Sequence, residues 1–317
     1  MVAPRNFRIQ GYATLLVLVA LLVGGCTEVR LATPEALAHR KVRVTTTTNF
    51  ITDLARNIGG HRVQVTGLMG PGVDPHMYKA SAGDVKTLTE ADLVLYGGLE
   101  LEGKMADVFE RLAEHRATVP VTRDIPRADL LEVPQHPGKY DPHVWFDVSL
   151  WERAARTTAA ALAQLDPAHA GEYHRNARAY VAKLKELDAY AKQRLGAIPA
   201  RSRVLVTSHD AFRYLGRRYG LDVVAIQGTS TATEATTADV ERVARVIADR
   251  GVKAVFVESS VPPQTIDAVL ASAERQGGRA RVGEELYSDA AGADGTPDGT
   301  YIGMVRHNVD AIGSGLR

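Results

Sequence analysis

The stretch Ala168-His-Ala-Gly-Glu-Tyr-His-Arg-Asn-Ala-Arg-Ala-Tyr-Val-Ala-Lys-Leu-Lys-Glu-Leu-Asp-Ala-Tyr-Ala-Lys-Gln-Arg-Leu195 contains no proline and one glycine, Gly171. Apolar residues recur at Tyr173, Ala177, Tyr180, Val181, Leu184, Leu187, Ala191 and Leu195. That is the spacing of one helical face. A helix of roughly 25 residues rises about 38 Å at 1.5 Å per residue. Such a helix can run the height of the protein and join two lobes as a strut. An ordinary surface helix inside one domain is the plainer alternative, and the chain on either side decides between them.

Upstream, residues 41–47 are β-branched and read as a strand, and residues 50–58 read as a helix closed by Gly59-Gly60. Residues 62–68 alternate Val63 and Val65 with polar side chains, a second strand. Ser81 with Asp84 three positions on resembles a capping box opening a helix. An apolar strand over 92–96 stops at Gly97-Gly98, and a helix follows over 104–115. Downstream the rhythm repeats, with strands over 203–207, 222–226, 253–257 and near Arg281. Helices over 211–219, 238–250 and 263–275 alternate with them, and a last helix starts near Tyr301. Strand alternating with helix at this spacing argues for parallel βα units. The expected fold is therefore α/β: two Rossmann-like lobes, 41–166 and 199–317, joined by a linking helix at 167–198.

The chain begins as a targeting segment. Arg5 and Arg8 form a short basic stretch before the apolar run 13–23, which is too short to span a bilayer comfortably. Val23-Gly-Gly-Cys26 resembles a bacterial lipobox, so residues 1–25 read as a lipoprotein signal peptide and Cys26 as the lipidated N-terminus. An ordinary signal peptide with an incidental cysteine is the alternative. Residues 26–40 then form a linker. Lipid at Cys26 would tether the protein to a membrane face outside the cytoplasm without inserting it. Cys26 is the one cysteine among 317 residues, so no intramolecular disulfide can form. Without Arg5 and Arg8 the 38 basic residues become 36, against 37 acidic ones. That balance, with no basic cluster, gives no sign of a nucleic-acid partner.

Asp-Pro-His occurs twice, at 74–76 and 141–143. Proline fixes its own φ and pushes the residue before it toward an extended shape, so each motif presents its imidazole from a stiff turn. His209 follows the strand at 203–207, and Asp289 lies in a loop ahead of the last helix. Rossmann-like sheets bind ligands at the carboxyl ends of their strands. Three imidazoles and a carboxylate are first-row metal ligands by type. His76 and His143 come from the first lobe, and His209 and Asp289 from the second, so the metal is expected in the cleft between them. His39, His61, His115, His136, His169, His174 and His307 are read as surface or structural residues.

Four segments carry a family resemblance. Gly67-Leu-Met-Gly-Pro-Gly-Val-Asp-Pro-His-Met-Tyr78, Asp141-Pro-His-Val-Trp-Phe-Asp147, Thr207-Ser-His-Asp-Ala-Phe212 and Gly299-Thr-Tyr-Ile-Gly-Met304 resemble the cluster A-I metal-binding receptors of ABC importers. Within these the chain is most similar to TroA-type zinc/manganese receptors, from about residue 40 to the end. The resemblance implies one zinc or manganese ion per chain, held by His76, His143, His209 and Asp289. It also implies delivery to a membrane permease by a receptor expected to be a monomer. The manganese-preferring branch carries glutamate at the third position, and His209 departs from that. Dedicated zinc receptors often carry a His-rich acidic loop before the second ligand, whereas residues 130–140 hold only His136. A zinc hydrolase is the enzyme alternative, with Glu234 or Glu258 as nominal base, and a surface adhesin is a third reading. Asp289 filling the fourth position favours holding a metal over reacting at it, so no enzyme activity is expected. The segment 283–299, rich in Gly, Ala and Asp, is expected to be loosely packed without metal.

Overall fold

A computed structural model of the chain describes residues 33–134 and 136–317. The leader, the lipobox-like segment and Cys26 lie outside the described residues. The chain enters through a short helix α1 (Pro34–Ala38), capped by the Thr33 hydroxyl. Strand β1 (Val42–Thr46) leads into helix α2 (Asn49–Gly59), which ends at Gly60 with a φ of 55°. Only glycine takes that left-handed shape without penalty. Strand β2 (Val63–Gly67), helix α3 (Ala82–Glu90), strand β3 (Leu93–Tyr96), helix α4 (Ala106–Ala113) and strand β4 (Ala117–Pro120) complete the first unit. Ser81 and Asp84 close the full capping box on α3. The strands pair in parallel in the order β2-β1-β3-β4.

An antiparallel hairpin, β5 (Glu132–Val133) with β6 (His136–Tyr140), precedes two long helices, α5 (Val148–Leu165) and α6 (Ala170–Gly196). The second unit runs β7 (Val204–Thr207), α7 (Arg213–Tyr219), β8 (Asp222–Ala225), α8 (Thr237–Arg250), β9 (Ala254–Phe256), α9 (Gln264–Arg275) and β10 (Arg281–Val282). Helix α10 (Tyr301–Gly315) ends it. These strands are also all parallel, in the order β10-β9-β7-β8. The architecture is thus two parallel-sheet α/β lobes with one long helix between them.

Helix α6 buries the whole expected stripe from Tyr173 to Leu195. Each fully buried leucine on it, Leu184, Leu187 and Leu195, contributes about 1.5–3 kcal/mol. It is not a free-standing strut, because it packs along α5 and against α10 and α2. Near its N-terminus, Tyr173 and His169 bond the buried Asp166, which also pairs with Arg62, and Asn176 donates to the Ile58 carbonyl. Toward its C-terminus, Asp188 pairs with Arg218 of α7, and Arg194 and Tyr190 bond Asp310 of α10. One end is therefore tied to the first lobe and the other to the second. Among the described residues no helix is long and apolar enough to cross a membrane.

Candidate metal centre

All strands of a parallel sheet release their connections at the same edge, and the four expected ligands lie just past that edge or in the loops beside it. His76 sits in the connection after β2, and the Asp74 Oδ1 accepts its amide at 2.8 Å. His143 opens the short turn Val144–Phe146, which leads into α5 with Asp147 as the capping residue. Asp141 Oδ1 accepts both the amide and the ring Nδ1 of His143, at 3.0 and 2.7 Å. His209 follows β7, and Glu258 accepts its amide through Oε1 at 2.9 Å and its ring Nδ1 through Oε2 at 2.5 Å.

Asp289 is held by a segment that differs from expectation. Leu286 pairs with the extension of β9 through Val257 and Ser259, and Asn308 clamps both backbone groups of Tyr287. The Trp145 indole donates to the Ser288 carbonyl, and Asn49 of α2 clamps both backbone groups of Ala291. Residues 288–291 are buried. The loosely packed loop expected here is corrected to a pinned one over 286–291. Small side chains permit tight backbone approach, and the long-range amide clamps that exploit it are not visible in composition.

The structure brings all four side chains together. One ligand atom from each of His76, His143, His209 and Asp289 lies within 4.8 Å of the others. His143 Nε2 is 3.3 Å from the Nε2 of both His76 and His209. Asp289 oxygens stand 3.4 Å from His143 Nε2, 3.3 Å from His209 Nε2 and 4.0 Å from His76 Nε2. Ligands about 2.0–2.1 Å from a tetrahedral zinc stand about 3.3–3.4 Å apart along the tetrahedron's edges. The group has that size and opens slightly on the His76 side. His76 is 5% exposed, and the other three are fully buried.

The tautomers follow from the outer carboxylates. Asp141 and Glu258 accept hydrogen bonds from the Nδ1–H groups of His143 and His209, which turns each Nε2 toward the common centre, where the neutral ring offers its lone pair. Two neutral rings would set Nε2 lone pairs against each other at 3.3 Å, so a proton or a metal ion belongs between them. Asp289 Oδ1 is buried and meets no hydrogen-bond donor. Burial works against charge on His143 and His209, yet Asp141, Glu258 and Asp289 outweigh it. The His143 imidazole is raised to about 9, and that of His209 well above its ordinary value. Burial pushes His76 down to about 3 despite Asp289, while His209, His143 and His76 hold the Asp289 carboxyl well below the usual range against its own burial. A dication entering here displaces the Nε2 protons of His143 and His209.

Of the two nominal bases, Glu234 lines the cavity beside His76 and Glu258 touches His209. Glu234 is exposed, and Glu258 has both oxygens engaged by His209. Orienting His209 is the role that sequence reasoning missed for Glu258, and an acid directly after a buried strand was the available signal. His169 bonds Asp166 and His307 donates to the Glu285 carbonyl, so both serve structure.

A family model, ZnuA (zinc-uptake complex component A, periplasmic), matches residues 44–315. The chain is 46% identical over 281 residues to the manganese-binding lipoprotein MntA of Bacillus subtilis, covering 88% of this chain and 91% of that protein. It is 44% identical over 282 residues to the zinc-binding protein TroA of Treponema pallidum, covering 89% and 91%. The solved structure of that periplasmic zinc-binding protein matches with a TM-score of 0.85, covering 87% of this chain and 99% of that chain. A match over most of the chain, together with the shared fold, shows that this protein belongs to the ZnuA family of periplasmic zinc-uptake components.

Proposed function

We propose that this protein is an extracytoplasmic receptor that captures one divalent transition metal and delivers it to an ABC importer. Its ligands in this reading are His76, His143, His209 and Asp289. The observation that carries it is the convergence of three Nε2 atoms and one carboxylate at tetrahedral spacing, with Asp141 and Glu258 directing two of the imidazoles inward. Relatives named for manganese and for zinc support metal cargo without choosing between the two. Three nitrogens and one carboxylate suit zinc, which stands above manganese in the Irving–Williams order. Zinc is thus the tighter ligand in vitro, with manganese also bound. Asp289 closes the fourth position, which favours holding the ion over activating a water.

Protein purified without chelator should carry one metal per chain by elemental analysis, and zinc should displace manganese. His143→Ala and His76→Ala should lower affinity at least about 100-fold, as loss of a ligand exceeds the 10–100-fold typical of outer-shell changes. Unchanged stoichiometry and affinity in both variants would remove the assignment. In this reading the receptor is a monomer, and the apolar run ending in Val23-Gly-Gly-Cys26 supports its tethering through lipid on Cys26. Mass spectrometry of membrane-extracted protein should find lipid on an N-terminal Cys26, and a Cys26→Ala form should lose the tether. A mature chain beginning elsewhere without lipid contradicts it.

A further inference from the structure

The two Asp-Pro-His turns are alike in sequence and bonded differently. In the second, Asp141 fixes its own histidine ring. In the first, Asp74 Oδ1 accepts the His76 amide while Oδ2 accepts the Thr231 hydroxyl at 2.6 Å, 157 positions along the chain. Among the described residues none pairs with the ring Nδ1 of His76. The orientation of His76 therefore depends on its loop rather than on a partner for its ring. Thr231 lies in the connection between β8 and α8. In that connection the Gly228 carbonyl accepts the amide of Asp210, the neighbour of His209. One carboxylate thus ties the turn carrying the first ligand to the loop beside the third, across the two lobes.

The same place is where an ion would leave. A cavity of about 540 Å³ has walls from both lobes, among them Leu99, Lys139, Thr229 and Ser230. Of the four ligands, His76 alone lines it. His76 is also the ligand standing farthest from Asp289, at 4.0 Å. Loss of metal toward the cavity requires the His76 turn to swing away, and the Asp74–Thr231 bond opposes that swing.

We propose that Thr231 is a positioning residue for metal retention, holding the Asp74-Pro75-His76 turn against the second lobe so that His76 closes the site. This rests on the metal-receptor reading above. Thr231→Val keeps the shape and removes the donor, whereas Thr231→Ser keeps the donor. Zinc-loaded wild type and both variants are mixed with excess chromogenic zinc chelator, and release is followed by stopped flow. The valine variant should lose zinc about tenfold faster, the lower end for a hydrogen bond to a charged acceptor, and the serine variant should stay within about twofold of wild type. All three should load one zinc per chain. A valine variant that releases zinc at the wild-type rate overturns the role of Thr231 while leaving the receptor reading intact. Equal acceleration in both variants overturns it too, because packing rather than the hydroxyl would then matter. Wild type that takes up no metal overturns the receptor reading and this assignment together.

Discussion

Glu258 binds one residue twice, through the amide and the ring of His209, and so sets both where that imidazole sits and which nitrogen faces the centre. Removing its charge while keeping its shape isolates that role. Glu258→Gln should retain one metal per chain at saturation but bind it about 10–100-fold more weakly, as outer-shell partners of metal-bound histidine typically do. Competition against a calibrated chelator measures this, with circular dichroism to verify the fold, and an affinity equal to wild type would refute it. The pairing has a long-range origin. In the sheet Val206 lies beside Val255 and Thr207 beside Phe256, so two residues further on His209 comes level with Glu258. The four residues that converge were legible as candidate ligands because Asp-Pro-His repeats and His209 follows an obvious strand. The partner of His209 was not, because it depends on β9 being the neighbour of β7, which no local pattern encodes.

Among the elements, legibility tracked the size of the buried side chains. Helix α6 shows a stripe of tyrosines and leucines, and its buried face agrees residue by residue with that stripe apart from Asp188. Asp188 is admitted because Arg218, Lys192 and Tyr219 satisfy it. Helix α5 escaped the sequence reading although it is 18 residues long. Its buried face carries Val148, Leu150, Trp151 and Leu162 near its ends, and between them Ala154, Ala155, Thr157, Thr158, Ala159 and Ala161, small or hydroxyl-bearing side chains that interrupt the run of large apolar residues. They let α5 and α6 approach closely, and that packing is visible only once both helices are in place. Strand β4 and the β5–β6 hairpin were missed for another reason. Residues 117–120 end in proline, and 132–140 mix proline, glycine and charged residues, in strands where alternation is too brief to register. The segment 283–299 shows the opposite error, since its Gly, Ala and Asp content conceals the clamps that Asn49, Asn308 and Trp145 place on 286–291.

At the scale of the molecule, these ties decide which parts can respond to metal. Helix α6 is anchored to the first lobe through Asp166 and Asn176 and to the second through Asp188 and Asp310, so it restrains the lobes. The Asp289 segment is buried and pinned from α2, α10 and the turn before α5. Three of the proposed ligands therefore rest on rigid supports, and the His76 turn is the exception. It borders the cavity, its neighbour Met77 is 48% exposed, and its side-chain hydrogen bond to the other lobe runs through the carboxylate of Asp74. Local opening is drawn from segments with few buried contacts. Hydrogen exchange with and without zinc should accordingly show protection rising mainly over 70–78 and 227–236. Residues 286–291 and α6 should change little. A gain concentrated at 286–291 would mean that metal, not the amide clamps, orders the Asp289 segment. Fast exchange along α6 that slows on zinc binding would make the helix itself the switch. The importer must distinguish loaded from empty receptor by some surface difference, and a ligand can shift only the segments whose energies differ between the two states. On this protein the segments expected to do so are the two loops joined by Asp74 and Thr231, which reach the cavity from opposite lobes.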